Sequence, residues 1–127
     1  MSEQKWQFEQ DGLIINASRS TNGKGTVTWC GVSDSRTPGV FLRPVLRELS
    51  EKLKGAEVTV DFSKLEYMNS ATVSPLINFV KALDGTCSRT LVLFSETDWQ
   101  RTHLQCMRAI ATTLKNTQVG STPAPPG

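Results

Sequence analysis

The sequence reads VTVDFSKLEYMNSATVSPLINFV over residues 58–80. It begins with the pattern of a buried strand, passes through a short polar loop that ends at Asn69 and Ser70, and continues as an amphipathic helix. A serine between a strand and a helix is well placed to carry a phosphate, because free backbone N–H groups and the helix dipole both favour an anion there. No other stretch of the chain indicates a function as clearly.

Further strands are expected on both sides of this stretch. Apolar runs flank the Asn-Gly turn signal at residues 22–23, which predicts an antiparallel hairpin over residues 13–32. Residues 90–94, TLVLF, are continuously apolar, as expected of a central strand buried on both faces. Residues 118–119 could add a short edge strand.

Three amphipathic helices complete the pattern. The first should begin near Arg43, because Pro44 suits a first helical turn, and Gly55 should end it. The second follows Ser70 and should end before Gly85. The third should open with a capping box at residues 97–100, in which Gln100 returns to the start of the helix.

These elements predict an α/β fold in the order β-β-α-β-α-β-α. We expect one mixed sheet of four to five strands, with the helices packed mainly on one face. Residues 1–8 form an N-terminal segment whose Trp6 and Phe8 should partly cover the other face. Residues 9–119 form the single folded domain, and residues 120–127 form a Pro/Gly-rich tail that we expect to be disordered.

Composition excludes several classes of protein. The 127 residues include 14 Lys+Arg and 12 Asp+Glu, and these charges are scattered, which argues against a nucleic-acid-binding protein. The three cysteines show no C-x-x-C spacing and indicate reduced thiols in a cytoplasmic protein. No apolar run approaches the ~20 residues that span a bilayer, so we expect no membrane insertion.

The chain also lacks motifs for catalysis or cofactor binding. It contains no Walker A, G-x-S-x-G or G-x-G-x-x-G sequence. His103 is the single histidine and cannot supply the paired ligands of a typical metal site. Cys106 lies one turn from His103, but no third catalytic member is evident. We therefore expect a binding protein rather than an enzyme, without cofactor, metal or catalytic residues.

The order of elements and two short motifs resemble a known family. The motifs are VDFS at residues 60–63 and YMNSA at residues 67–71. Together they resemble the STAS domain, the fold of bacterial anti-sigma factor antagonists, over roughly residues 9–119. The resemblance implies that a serine or threonine at the start of the second helix undergoes regulatory phosphorylation.

By position, the resemblance makes Ser70 the phosphoacceptor and matches Asp61 to the aspartate that ends the strand. Ala71 stands where the family has a small residue, and Asn69 stands where it usually has Asp. Asn keeps one acceptor oxygen but loses the charge. This exchange would slow a kinase that needs the acid, or it would reduce repulsion of the phosphate, and the sequence does not choose between these effects.

The resemblance also implies partners. A GHKL-type serine kinase, which is also an anti-sigma factor, would add the phosphate, and a PP2C-type phosphatase would remove it. The unphosphorylated protein, a monomer or weak dimer, would bind the kinase and free the kinase's other client. The expected partner-binding residues are Asp61, Lys64, Glu66, Asn69, Ser70, Ala71 and Thr72. The alternative is a constitutive, unphosphorylated scaffold or adaptor in a larger signalling or transport assembly.

The start of the second helix remains open at this level. Ser70 could be only a capping residue, whereas Ser74 followed by Pro75 also forms a good helix start. A cap at Thr72 would place Pro75 harmlessly in the first turn, which makes Thr72 the second candidate phosphoacceptor. Asp61 could likewise serve only to bond the amides of its own loop.

Overall fold

The computed structural model describes residues 3–122 and shows a mixed sheet with helices packed on it. Over these residues the chain forms seven strands and three helices. Their bounds, in chain order, are β1 Gln4–Gln10, β2 Leu13–Arg19, β3 Lys24–Ser33, α1 Pro38–Lys52, β4 Glu57–Asp61, β5 Leu65–Met68, α2 Ser70–Thr86, β6 Arg89–Ser95, α3 Asp98–Ala111 and β7 Thr117–Thr122. The α/β class and the β2–β3 hairpin are confirmed, but the expected count of four to five strands is wrong.

The sheet has the spatial order β1-β2-β3-β4-β6-β7, with β5 paired to the far end of β3. The β1–β2 and β2–β3 pairs are antiparallel, whereas the β3–β4, β4–β6 and β6–β7 pairs are parallel. Each step from β3 to β4, β6 and β7 moves in the same direction, so right-handed crossovers place all three helices on one face. Buried side chains of the helices and sheet form one core.

Strand β1 replaces the covering segment expected at the N-terminus. Trp6 pairs with Ala17 and Phe8 pairs with Ile15 across the β1–β2 ladder. Because paired residues share a face of the sheet, both aromatic rings lie on the helix side and not on the opposite face. The Nζ atom of Lys52 in α1 lies 5.1 Å from the centroid of the Trp6 ring. Residues 4–10 therefore widen the sheet.

A bulge at Gly31 lets β3 pair with two strands on the same side. Residues 24–28 pair with β4, and residues 31–33 pair with β5, with a register shift between Gly31 and Val32. Gly31 has a φ of +87°, a conformation that glycine adopts without strain. The bulge thus positions β5, and with it the start of α2, beyond the end of β4.

Helix α1 begins earlier than the sequence predicts. Pro38 occupies the start of the helix and Pro44 lies inside it, so the expected start near Arg43 is wrong. An internal proline removes one helical hydrogen bond to the carbonyl four residues earlier, here that of Val40. Val40 is 76% exposed, so this carbonyl lies on the solvent side of α1, where water can satisfy it.

Helix α2 also extends further than expected, because Gly85 lies inside it and the helix ends at Thr86. Near this end, Asp84 holds the turn that leads into β7. Its carboxylate accepts hydrogen bonds from the N–H groups of Lys115 and Asn116 and from the Thr117 hydroxyl, at 3.2, 2.6 and 2.8 Å. The edge strand expected at residues 118–119 is confirmed as part of β7.

Asp84 should make stability depend on pH. Burial raises its pKa, but the three hydrogen bonds outweigh burial and lower it. A lowered folded pKa contributes stability above the unfolded value of about 3.9, and this contribution is lost as the pH falls through the folded pKa. In urea denaturation, the native chain should have a higher free energy of unfolding than Asp84→Ala, and this difference should shrink below pH 4. A difference that does not shrink below pH 4 would contradict this role.

Two expectations concern the ends of the chain. Residues 120–122 belong to β7, so this part of the expected disordered tail is ordered. The remainder of the expected tail, residues 123–127, lies outside the described residues. Across residues 3–122, none of the helices combines the length and the apolar character needed to cross a bilayer.

Candidate functional site

The candidate site lies where β5 passes into α2. The side chain of Met68 is buried in the core, whereas that of Tyr67 is 48% exposed. The N–H of Asn69 donates to the carbonyl of Ser33 at 2.9 Å, which continues the β3–β5 pairing up to the helix. Ser70 then forms the first residue of α2 and is exposed. Among residues 3–122, no hydrogen bond engages its hydroxyl, so that group is free to react or to contact a partner.

Asn69 caps α2 and uses both ends of its side-chain amide. The Oδ1 atom accepts from the N–H and the hydroxyl of Thr72, at 3.1 and 2.8 Å. The Nδ2 group donates to the carbonyl of Ser35 at 2.8 Å. An aspartate could keep the cap but could not donate to Ser35. The fold therefore gives a structural reason for Asn rather than Asp at position 69.

The alternatives for the start of α2 are resolved by this cap. Asn69 is the capping residue, so caps at Ser70, Thr72 or Ser74 are wrong. Pro75 lies inside the helix, where it forfeits a hydrogen bond to the carbonyl of Ala71. Ala71 itself is exposed in the first turn, so water can reach this end of the helix.

Thr72 is inaccessible in this structure. Its side chain is 0% exposed, and its hydroxyl lies 2.7 Å from the hydroxyl of Ser33 and 2.8 Å from Asn69 Oδ1. A kinase or a partner could touch this hydroxyl only after the start of α2 opened. The structure thus leaves Ser70 as the accessible hydroxyl of the two candidates.

Asp61 serves its own loop. Its Oδ1 atom accepts hydrogen bonds from the N–H and the hydroxyl of Ser63, at 2.9 and 2.6 Å. Asp61 lies beside Thr28, whereas Asn69 is bonded to Ser33, five residues further along β3. At ~3.3 Å per residue the two sites are roughly 15 Å apart. Asp61 is therefore not brought together with Ser70.

Lys64 and Glu66 are exposed on the loop and strand between these two sites. The β4–β5 loop is hydrogen-bonded to the buried side chain of Gln100, which is 1% exposed. The Nε2 group of Gln100 donates to the carbonyls of Phe62 and Leu65, at 3.0 and 2.9 Å. Its Oε1 atom accepts from the N–H of Ser95 at 2.6 Å. Gln100 thus fastens the β4–β5 loop to the end of β6.

The capping box expected at residues 97–100 is wrong, because the Gln100 side chain makes these core hydrogen bonds and does not return to the start of α3. The Gln100 side chain points into the core, and Thr97 makes no side-chain capping bond. Its hydroxyl lies instead 2.8 Å from that of Ser95. The spacing of Gln100, Leu104 and Met107 on one buried face of α3 was the signal that could have revealed the inward position.

An aromatic cluster, formed by Tyr67, Trp99 and His103, lies at this edge of the molecule. The ring centroids of Tyr67 and Trp99 are 6.3 Å apart, and those of Trp99 and His103 are 5.8 Å apart. Partial burial lowers the pKa of His103, which favours its neutral form at neutral pH. Sequence reasoning did not connect these residues with Ser70, although Tyr67 precedes it by only three positions.

The geometry defines an α/β domain with a mixed sheet and an exposed serine at a helix start. No protein-family model matches the chain, and no curated protein matches it. Within residues 3–122, no three His, Cys, Asp or Glu side chains are grouped in a way that could hold a metal ion.

Proposed function

We propose that this chain is a STAS-like regulatory protein of the anti-sigma factor antagonist type, acting in a cytoplasmic partner-switching pathway. It would bind a GHKL-type serine kinase that is also an anti-sigma factor, and phosphorylation of Ser70 would control this binding. The chain itself would be a binding protein and not an enzyme. The observation that carries the proposal is the exposed, unbonded Ser70 hydroxyl at the first residue of α2, within the motif that resembles the family.

The surroundings of Ser70 suit both states of the switch. A phosphoserine carries about −1.5 to −2 charges at neutral pH. The first turn of α2 contains no acidic residue, and the positive end of the helix dipole favours an anion there. Asn69, unlike the aspartate usual in the family, adds no charge next to the phosphate. Phosphorylation would therefore leave the fold unchanged and act through the interface.

The exposed apolar side chains of this region support a protein partner. Val40 and Tyr67 are the two large apolar side chains that are strongly exposed within residues 3–122. Tyr67 lies on β5, three residues before Ser70. Val40 lies in the first turn of α1, directly after the β3–α1 loop, whose Ser35 carbonyl accepts a hydrogen bond from Asn69. Exposed aromatic side chains are enriched in the cores of protein interfaces, so Tyr67, three residues before Ser70, would suit a docking surface.

The switch would work by desolvation and repulsion. A partner interface that fits the neutral hydroxyl of Ser70 would have to bury a phosphate after modification. A poorly compensated buried charge costs several kcal/mol, which corresponds to orders of magnitude in affinity. The PP2C-type phosphatase implied by the resemblance would restore binding. Lys64, Glu66 and Ala71 are exposed and remain the proposed contacts beside Ser70.

The test combines phosphosite mapping with matched substitutions. The protein is recovered from its native cells, its phosphosites are mapped by mass spectrometry, and co-purifying proteins are identified. We expect phosphate on Ser70 and a GHKL-type kinase in the same sample. Ser70→Asp should weaken binding to that kinase by about 100-fold, equivalent to about 2.7 kcal/mol, whereas Ser70→Ala should retain binding.

The matched control is Ser74, an exposed serine one turn further along α2. Ser74→Asp introduces the same charge on the same helix and should leave affinity for the kinase within about twofold of the native value, about 0.4 kcal/mol. Equal binding by the native chain, Ser70→Ala and Ser70→Asp would rule out the switch.

A second candidate is a constitutive scaffold or adaptor in a larger signalling or transport assembly. Its support is Asn69, whose hydrogen bonds to Thr72 and Ser35 account for the residue by structure alone. An Asn that serves the fold needs no role in a kinase reaction. A stable native complex with unmodified Ser70, unaffected by phosphatase treatment, would favour this candidate.

A further inference from the structure

Strand β1 forms one outer edge of the sheet. Within residues 3–122, β1 pairs with β2 on one side, and no strand pairs with its opposite side. Its seven residues run in register with β2 without a bulge, and none of them is a proline. Bulges and prolines are devices by which proteins prevent an edge strand from pairing with another chain. The free side of β1 is therefore open to a further strand.

The turn between β1 and β2 determines which backbone groups of β1 are free. Gln10 and Leu13 flank a two-residue turn, so they form a hydrogen-bonded pair. Such pairs alternate with non-hydrogen-bonded pairs along an antiparallel ladder. The backbone groups of every second residue therefore point away from β2, and these residues are Glu9, Gln7 and Lys5. Their N–H and carbonyl groups can bond a second strand.

The sequence of β1 is complementary to itself when one strand is reversed. It reads QKWQFEQ over residues 4–10, with Gln7 at its centre. If two antiparallel β1 strands are centred on Gln7, Lys5 of each copy lies opposite Glu9 of the other copy. Trp6 likewise lies opposite Phe8. Opposite charges and aromatic rings are cross-strand pairs that stabilise antiparallel sheets. Lysine on an edge strand usually discourages pairing, but in this register a carboxylate meets it.

We propose that this protein forms a symmetric dimer by antiparallel pairing of two β1 strands, with the twofold axis at Gln7. In this register the free backbone groups of Lys5, Gln7 and Glu9 lie opposite one another and form hydrogen-bonded pairs. The twofold axis makes each contact occur twice and joins the two sheets into one. Strands β2 and β3 separate β1 from β5, which leads to Ser70. The proposal therefore does not depend on phosphorylation of Ser70.

The two faces of β1 bring different side chains to this interface. On the helix side, Trp6 and Phe8 are only partly buried and pack at the margin of the core. A second strand would cover them further, because side chains of non-hydrogen-bonded pairs lie close together. On the open face, the Lys5 side chain is 76% exposed and forms a 3.7 Å ion pair with Glu3. An exposed ion pair contributes little free energy, so the Lys5 ammonium can turn to Glu9 of the other copy.

The other edge of the sheet is a poorer partner for β1. Strand β7 has the sequence TQVGST, which offers neither a charge nor an aromatic ring to match those of β1. Pairing of β1 with β7 of another copy would also leave a free edge on each molecule for further copies. The complementary residues of β1 therefore favour β1 of a second copy as the occupant of this edge.

Sedimentation of the native chain and of charge variants tests the proposed dimer. In analytical ultracentrifugation the native chain should show a reversible equilibrium between monomer and dimer. Lys5→Glu places carboxylates opposite carboxylates, and Glu9→Lys places ammonium groups opposite ammonium groups. Because each dimer contains two such pairs, each variant should raise the dimer Kd by about tenfold. Lys81→Glu, an equal change of charge at an exposed position of α2, should leave the Kd within about twofold of the native value.

Mixing the two variants tests the register. In a mixed dimer of Lys5→Glu and Glu9→Lys chains, every cross-strand pair again joins opposite charges, so the mixed dimer should regain the native Kd. In a sample of differently labelled native copies, isotope-filtered nuclear Overhauser contacts should join Trp6 of one copy to Phe8 of the other. A native chain that stays monomeric up to about 1 mM would overturn the proposal. A dimer that the charge variants do not weaken, or a mixture that associates no better than the separate variants, would also overturn it.

Discussion

Replacing Gln100 with alanine is expected to destabilise the protein by about 4 kcal/mol. The Ser95 N–H and the Leu65 carbonyl would lose the bond from this side chain, and the Phe62 carbonyl would keep only its bond from the Leu65 N–H. Gln100 is 1% exposed and bonds Ser95, Phe62 and Leu65 at 2.6, 3.0 and 2.9 Å. Each unsatisfied buried polar group costs about 1–3 kcal/mol, and the missing side chain also leaves a cavity. Urea denaturation monitored by circular dichroism measures the loss.

The matched control is Gln105→Ala, the same substitution at an exposed position of the same helix. It should change the free energy of unfolding by less than about 0.5 kcal/mol. If both variants lost the same small amount, the hydrogen bonds of Gln100 would have no role in stability. A Gln100→Glu variant offers a sharper comparison, because a carboxylate can accept from Ser95 but cannot donate to the two carbonyls.

Replacing Gly31 with alanine should destabilise the protein by about 3 kcal/mol or more, because strain and a backbone clash add together. The φ of +87° at Gly31 is unfavourable for any residue with a Cβ atom. A Cβ at this position would lie 2.0 Å from the carbonyl oxygen of Gly12, and a backbone atom cannot yield as a flexible side chain can. The same urea assay measures the effect, and the pairing of β5 should weaken with it.

Gly85→Ala is the matched control, and we expect it to raise the free energy of unfolding where Gly31→Ala lowers it. Gly85 lies inside α2, and a Cβ there would meet nothing within 4 Å. Alanine is a better helix former than glycine by up to about 1 kcal/mol, so this variant should gain stability. A loss at Gly31 no larger than about 0.5 kcal/mol would show that the bulge relaxes freely and does not fix the position of β5.

Local patterns predicted the elements that carry a strong periodic signal. The hairpin over residues 13–32, the inward faces of the helices and the apolar strand at residues 90–94 all follow from side-chain spacing and turn chemistry. Strand β1 escaped prediction because its residues are mostly exposed at the sheet edge and alternate only weakly. Strand β5 escaped because it has four residues and exists through the bulge at Gly31, which is a tertiary feature.

Some features of the candidate site could also be predicted from the local sequence, whereas others could not. The position of Ser70 at a strand–helix junction could be predicted, because the change of periodicity lies in residues 58–80. The cap at Asn69 and the burial of Thr72 could not, since both depend on Ser33 and Ser35, more than thirty positions earlier in the chain. The inward position of Gln100 was missed because residues 97–100 also match a capping box, although the spacing of Gln100, Leu104 and Met107 places Gln100 on the buried face of α3.

The bonds from Asn69 and Thr72 to residues 33–35 have a consequence for recognition. A synthetic peptide of residues 58–80 would contain the whole motif but would lack Ser33 and Ser35. The Ser33 carbonyl accepts a hydrogen bond from the Asn69 N–H, and the Ser35 carbonyl accepts one from the Asn69 side-chain amide. In such a peptide the serine would sit in a fluctuating chain without a fixed helix start. An enzyme that modifies Ser70 would therefore read a three-dimensional surface, and peptide arrays built on linear consensus sequences would fail to detect its substrate.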